Sequence, residues 1–416
     1  MRILKLTPAV EKKLLRARQE RDREAERVVA EIIADVRKRG DAALIDYAKK
    51  FDGINLRREG IWISSKEIRA ARKKVSTDFV KAITQASRNI RRVAEKQLPQ
   101  PWSIEVEPGV KISQRVSAIE SVGCYIPGGH FALVSTLLMT AIPAQVAGVP
   151  RIQVVCPGSN DSLLAAVDFL GVGRIARIGG AQAIAALAYG TKSISRVEKI
   201  FGPGNKYVTA AKQLVSGDCA IDLPAGPTEA IVVAAEGNPR WIAADLLAQA
   251  EHAEDAASFF VTTSRALAQQ VQREVQWQLG EVPARMALFS TKLAGGILVA
   301  NSLDQACEFV NRFGPEHLSL PTNFQELLRK ITSSGTIFLG RWGAQPLGDY
   351  ATGSNHVLPT GGWARKRGGL SSADFVKCIS VQTIARKGFL RLADTVETLA
   401  ESEGLLAHRN AVRVRR

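Results

Sequence analysis

Paired cysteine is missing from this sequence. Cys124, Cys156, Cys219, Cys307 and Cys378 are odd in number and widely scattered, with no CxxC among them. That excludes a recognisable thiolate zinc motif and points to free thiols in a reducing cytoplasm. No apolar run precedes the first charges of MRILKLTPAVEKKLL, so a secretory signal is not expected. Aromatic residues make up only 6% of the chain, and few accompany its basic residues, which leaves a nucleic-acid surface without stacking platforms. Internal repeats and low-complexity tracts are likewise absent.

Long apolar runs are nearly absent too. Residues 132–149 lack any charge for 18 positions, the length at which a membrane helix becomes conceivable. Pro143, Gln145 and three hydroxyls interrupt that stretch, and the β-branched RIQVVCPG (151–158) follows it at once. A helix packed on a parallel sheet explains both features, and no membrane partner is expected.

What the chain does have is length and charge. Its 416 residues and 46% apolar content suffice for at least two α/β cores. The net charge of +16 is concentrated at the start, where residues 1–100 hold 26 Lys and Arg against 14 Asp and Glu, a balance of +12. Nucleic-acid binding is the competing reading of that excess. Yet EKKLLRARQERDREAERVVAEIIADVRKRG interleaves both signs with Leu, Val and Ile at helical spacing, as a solvated amphipathic helix does.

Periodicity predicts helices over about 8–40 and 41–51, and a long one near 77–97 stopped by Pro99 and Pro101. From 121 onward, apolar strands alternate with helices through SVGCYIP, RIQVVCP, RIARIGG and KIFGPGNKYV. Such βαβ units build a parallel sheet with right-handed crossovers. A second α/β stretch begins near 228 with TEAIVVAAEG and continues through helix 239–252, ASFFVTTS and GGILVA. The fold class expected is therefore α/β, two Rossmann-like parallel-sheet domains with the second inserted in the first. The boundaries read as an N-terminal helical segment 1–26, a larger domain 27–123 plus 226–366, an inserted domain 124–225, and a helical tail 367–416.

Gly-rich turns at IPGGH (126–130), IGGAQ (178–182) and FGPGN (201–205) follow strands, as they would where backbone approaches a phosphate at a helix N-terminus. None of them fits GxGxxG, so plain strand-to-helix turns explain them as well. Four of the five histidines stand beside an acid or amide: His252 three residues after Gln249, His317 next to Glu316, His356 in a loop with Asp349, and His408 five residues after Glu403. His130, in a glycine turn, is the exception. An acid adjoining an imidazole behind a Gly-Pro turn, as in FGPEHL, is a candidate proton-transfer pair.

Together, VAEIIADVRKRGDAALIDYAKKFDG, YIPGG, IGGAQAIAALAYGT, FGPGNKYV, DLPAGPTEA, DLLAQAEH, FGPEHL, GDYATGSNHVLPT and GLLAHRNAV resemble successive motifs of the histidinol dehydrogenase family. The resemblance implies oxidation of L-histidinol through L-histidinal to L-histidine, the last step of histidine biosynthesis, with one Zn2+ per site and two NAD in sequence. It implies Gln249, His252, Asp349 and His408 as metal ligands, and Glu316 and His317 as the proton-transfer residues. Tyr125, Gln182 and Asn205 match NAD contacts. Thr228, His356 and Glu403 match substrate positions, alongside His317 and the metal ligands. Thr228 stands where the family often has serine, and GGWARKRGG is unusually basic for its loop. A homodimer is implied as well, each tail crossing to complete the partner's site. The alternatives are a paralogue oxidising another amino alcohol or polyol, and a basic nucleic-acid-binding protein with a vestigial site.

Overall fold

The computed structural model describes residues 1–18, 23–128, 133–223, 226–252, 255–281, 295–322 and 324–416. A short strand opens the chain, β1 (Ile3–Lys5), followed by helices Pro8–Ala17, Arg23–Arg39, Asp41–Tyr47 and Thr77–Gln97 and a hairpin of β2 (Trp102–Glu107) and β3 (Val110–Ala118). Next come β4 (Ser121–Tyr125), β5 (Arg151–Val155), β6 (Ile175–Ala176), β7 (Lys199–Phe201) and β8 (Ala220–Ile221), with helices between them. The later strands are β9 (Glu229–Val233), β10 (Ala257–Thr262), β11 (Gly296–Val299), β12 (His317–Leu320), β13 (Thr336–Leu339) and β14 (Val376–Ile384).

These strands form three sheets: six strands in the order β1-β11-β10-β9-β12-β13, five in the order β6-β5-β4-β7-β8, and three in the order β14-β3-β2. The first two are parallel throughout, and the five-stranded sheet interrupts the chain of the six-stranded one. The class is thus α/β with one parallel sheet inserted in the sequence of another.

Several elements differ from expectation. The segment 1–26 is not helical throughout, because Ile3, Leu4 and Lys5 pair with Ile297, Leu298 and Val299. A strand of three residues is too short for alternation to reveal. Residues 23–97 pack on the five-stranded sheet rather than the larger one. Val29, Val36 and Leu44 share a core with Ile184 and Leu187, while Ile68 meets Leu163 and Ile90 meets Ile142 through the neighbouring clusters. These amphipathic helices supply the second layer that a sheet buried on both faces requires. The tail is not purely helical either. Its nine-residue β14 pairs antiparallel with β3 from Val376↔Ala118 to Ile384↔Val110, ahead of helices Arg386–Ser402 and Leu406–Arg413.

The charge-free run becomes helix Val134–Val146, almost wholly buried. Among the described residues, no helix is long and apolar enough to cross a membrane.

Candidate active site

The Phe-Gly-Pro-Glu-His turn begins where helix Leu303–Phe313 ends. Gly314 takes the left-handed conformation, φ 59°, and its N–H returns to Val310 O, a cap that glycine adopts without strain. A Cβ there would also meet Arg365 Cγ at 2.8 Å. Pro315 has no N–H to continue the helix, so the chain enters β12 directly with Glu316 and His317 at its start. Because β12 and β9 are parallel with His317 opposite Ala230, Thr228 and Glu229 lie at the same amino-terminal edge. Helix Pro239–Ala250 runs back to bring Gln249 there too. The cluster therefore sits at the opposite end of its sheet from the crevice where open α/β sheets usually bind ligands.

A chain of hydrogen bonds fixes the carboxylate. Gln345 Nε2 donates to Gln249 Oε1, Gln249 Nε2 donates to Thr228 Oγ1, and the Thr228 hydroxyl donates to Glu316 Oε2. The same oxygen accepts the Glu229 N–H at 3.0 Å. Glu316 and His317 are 7% and 3% exposed, so both are nearly sealed from bulk water. His317 Nδ1 stands 3.7 Å from Glu316 Oε2, and its Nε2 stands 3.6 Å from Asp349 Oδ1. Neither separation is a hydrogen bond, and both ring nitrogens are buried without a partner among the described residues. Two unmet polar atoms on a buried ring are costly, which makes the ring a candidate contact for another polar group. Burial pulls the His317 imidazole down, but the Glu316 and Asp349 carboxylates more than offset it and hold it above its ordinary value.

Asp349, expected in a loop, lies in the last turn of helix Gln345–Tyr350 and is buried. Burial raises its carboxyl, yet the imidazoles of His317, His356 and His252 outweigh that and leave it below the usual range. His356 is tied at both nitrogens, Nδ1 to Asp349 O at 3.0 Å and Nε2 to Thr136 Oγ1 at 3.2 Å. A carbonyl only accepts, so Nδ1 carries the hydrogen and Nε2 accepts from the threonine hydroxyl. Burial keeps this ring's pKa low, in keeping with that neutral tautomer. His252 falls just beyond helix Pro239–Ala250 rather than within it, exposed, with Nδ1 3.2 Å from Ala248 O. Nε2 is then the nitrogen left for an outside group.

Glu403 and His408 are elsewhere. Both are exposed, Glu403 capping helix Arg386–Ser402 and His408 on helix Leu406–Arg413. Among the described residues, no three of His, Cys, Asp and Glu converge as a metal site. His252, Asp349 and His408 are therefore not assembled within one chain.

The sequence profile of histidinol dehydrogenase matches residues 15–416. The chain belongs to the histidinol dehydrogenase family. It is 46% identical over 395 residues to the histidinol dehydrogenase of Vibrio parahaemolyticus, covering 93% of this chain and 91% of that one. To the Escherichia coli histidinol dehydrogenase it is 44% identical over 400 residues, covering 94% and 91%. The crystal structure of histidinol dehydrogenase from Elizabethkingia anophelis superposes with a TM-score of 0.93 at 39% identity, over 100% of this chain and 98% of that one. The protein is thus an oxidoreductase of histidine biosynthesis.

In this histidinol dehydrogenase fold, the turns after β4, β5, β6 and β7 crowd together at the carboxyl edge of the five-stranded sheet. A Cβ on Gly128 or Gly179 would come within 2.3 Å of Pro157, and one on Gly202 within 2.1 Å of Tyr125 O. The strand order reverses between β4 and β7, the switch point at which nucleotides bind. Tyr125 is buried there, its hydroxyl accepting the Gly180 N–H at 3.2 Å, and burial drives its pKa upward. Gln182 is 1% exposed, with neither amide atom hydrogen-bonded among the described residues. Asn205 caps helix Lys206–Val215, Oδ1 accepting from Tyr207 N and Val208 N, so its amide NH2 is the group it can offer. The Gly202 turn is pinned by a buried Lys212–Asp222 pair, with Lys212 Nζ 2.8 Å from Gly202 O. Part of the basic loop is structural: Arg367 donates to Asp222 O and to Asp374 Oδ1. His130 lies outside the described residues.

Proposed function

We propose that this enzyme converts L-histidinol to L-histidine through L-histidinal by two successive NAD-dependent oxidations, in the cytoplasm. The observation that carries the reading is the buried Glu316–His317 pair, with both imidazole nitrogens unpartnered among the described residues and the carboxylate oriented by Thr228 and Glu229. His317 takes the alcohol proton as the carbinol carbon gives up hydride. Glu316 takes a proton from the water that hydrates the aldehyde, because only the hydrated carbonyl has a second hydride to lose. The net change is one water consumed, two hydrides transferred and three protons released as the carboxylate forms.

The turns of 124–225 are the proposed NAD site, with Tyr125, Gln182 and Asn205 as contacts. A crevice of glycines that admit no Cβ, lined by an amide unpartnered among the described residues, suits a dinucleotide. Residues 226–366 supply the reacting side chains. When bound, NAD would supply the hydride acceptor and zinc a Lewis-acid anchor for the substrate. Gln249, His252 and Asp349 offer two oxygens and a nitrogen, suited to borderline Zn2+, but they fall one ligand short. We assign the fourth to His408 of a second copy, with Glu403 reaching that copy's partner site. Exposed apolar side chains on the three-stranded sheet and tail helices support this arrangement: Trp102, Ile104, Leu399 and Leu406 are each more than half exposed, as residues that a partner would cover are.

The test separates metal from proton transfer. His252→Ala should lose zinc by metal analysis. His317→Ala should keep it while histidinol turnover falls by about 10²–10⁴-fold, the usual worth of a positioned base. Full activity in zinc-free protein would overturn the assignment, and faster turnover of another primary alcohol would replace the substrate.

The cysteines should be dispensable. Cys124, in β4 next to the cofactor turn, is fully buried, and burial pushes its thiol up to about 12, far from a working nucleophile. Cys124→Ala is expected to retain both oxidations. Selective loss of the second, with zinc and fold intact, would instead require a thioester.

A further inference from the structure

We infer that Arg18 and Glu229 are a positioning pair for Glu316, setting the water activation of the second oxidation; the inference rests on the reading of Glu316 given above. Arg18 caps helix Pro8–Ala17 and reaches across the chain. Its Nε donates to Glu229 Oε1 at 2.6 Å, one terminal nitrogen donates to Glu229 Oε2, and the other donates to Phe313 O. The guanidinium also lies 3.6 Å over the Phe313 ring. The side chains are 12% and 3% exposed.

One guanidinium thus joins the two segments that carry the pair. On one side is the entry of β9, whose Glu229 N–H holds Glu316 Oε2. On the other is the last residue of the helix that turns through Gly314 and Pro315 into Glu316 itself. Together these links close a ring: Phe313 carbonyl, Arg18, Glu229 carboxylate, Glu229 N–H, Glu316 carboxylate, and back along the chain to Phe313. Displacing Glu229 draws its amide off Glu316.

Stability alone is a poor account of this pair. A buried ion pair is often no better than apolar residues of the same volume. What a planar fork supplies is bidentate geometry, and here its third nitrogen is used as well. Charge adds a second reason. Burial pushes the Glu229 carboxyl up to about 7 against the pull of Arg18, and the Glu316 charge pushes the same way. Arg18 therefore keeps two adjacent acids compatible without touching Glu316.

Arg18→Lys keeps the charge and loses the fork, whereas Glu229→Gln keeps the shape and loses the charge. Each full-length variant is assayed with histidinol and with histidinal, in the presence of semicarbazide to trap free aldehyde, alongside Tm and zinc content. Oxidation of histidinal is expected to slow by roughly 10–100-fold, the scale of an ångström's misplacement. Trapped aldehyde should rise, with the KM for histidinol and zinc content unchanged. Glu229→Asp, which retains a carboxylate, should recover part of the loss. Equal slowing of both oxidations, tracking a fall in Tm, would make the pair merely structural and overturn the inference. Should Arg18→Lys fail to fold, Glu229→Gln decides by the same readout. Glu316→Gln is the control: if it releases no aldehyde, the reading of Glu316 has failed and not the role of Arg18.

Discussion

Mixing His408→Ala chains with Glu316→Ala chains should restore roughly a quarter of wild-type histidine formation after subunit exchange, although neither variant alone forms histidine. In a two-fold dimer with crossed tails, each site combines one chain's Gln249, His252, Asp349 and Glu316 with the other chain's His408. A mixed dimer then has one site with neither lesion and one with both. Random exchange makes about half the dimers mixed, and one complete site in each gives the quarter. The geometry motivates the experiment, because His408 is exposed on helix Leu406–Arg413 while Asp349 lies beside His317 at the six-stranded sheet's amino edge, and no metal-binding trio forms among the described residues of one chain. If His408 served its own chain, every site would carry a lesion. Heterodimers demonstrated by mass, without recovered turnover, would refute the exchange.

The alternating strands and helices of 121–215 were legible because each strand is a short apolar run ended by Gly or Pro, and the helix at 77–97 because a wide apolar face meets two prolines. The three-stranded sheet was not. Every residue of β2 is exposed, so no burial alternation marks it, and β14 finds its partner more than 250 residues back along the chain. Glu316, His317 and Asp349 could be picked out because acids and imidazoles are rare neighbours in small-residue loops. Their supports could not. Arg18 reaches Glu229 across 211 residues and Gln345 reaches Gln249 across 96, and neither pairing leaves any local spacing. The amino-edge location was equally hidden, since it follows from strand register and not from composition.

Replacing Glu316 by glutamine should stop the reaction at the aldehyde. Both donors to the carboxylate, the Thr228 hydroxyl and the Glu229 N–H, converge on Oε2. A glutamine carbonyl oxygen in that place accepts both, so the Gln345–Gln249–Thr228 chain should survive intact, whereas alanine would remove the acceptor at its end. What glutamine cannot do is take a proton. The first hydride transfer depends on His317, whose ring is held between the side chains of Glu316 and Asp349 and faces Phe338 with ring centroids 6.1 Å apart. That step should persist, weakened only by the lost carboxylate charge beside the imidazole. The second step needs water deprotonated at the carbonyl carbon, and loss of a positioned base costs about 10²–10⁴-fold. With histidinol as substrate and an aldehyde trap present, reduced cofactor per substrate should fall from two toward one; with histidinal supplied directly, turnover should nearly vanish. His317→Asn should instead suppress both half-reactions. Equal losses in the two half-reactions of the glutamine variant would mean that Glu316 and His317 act as one unit, and the division of labour between them would have to be abandoned.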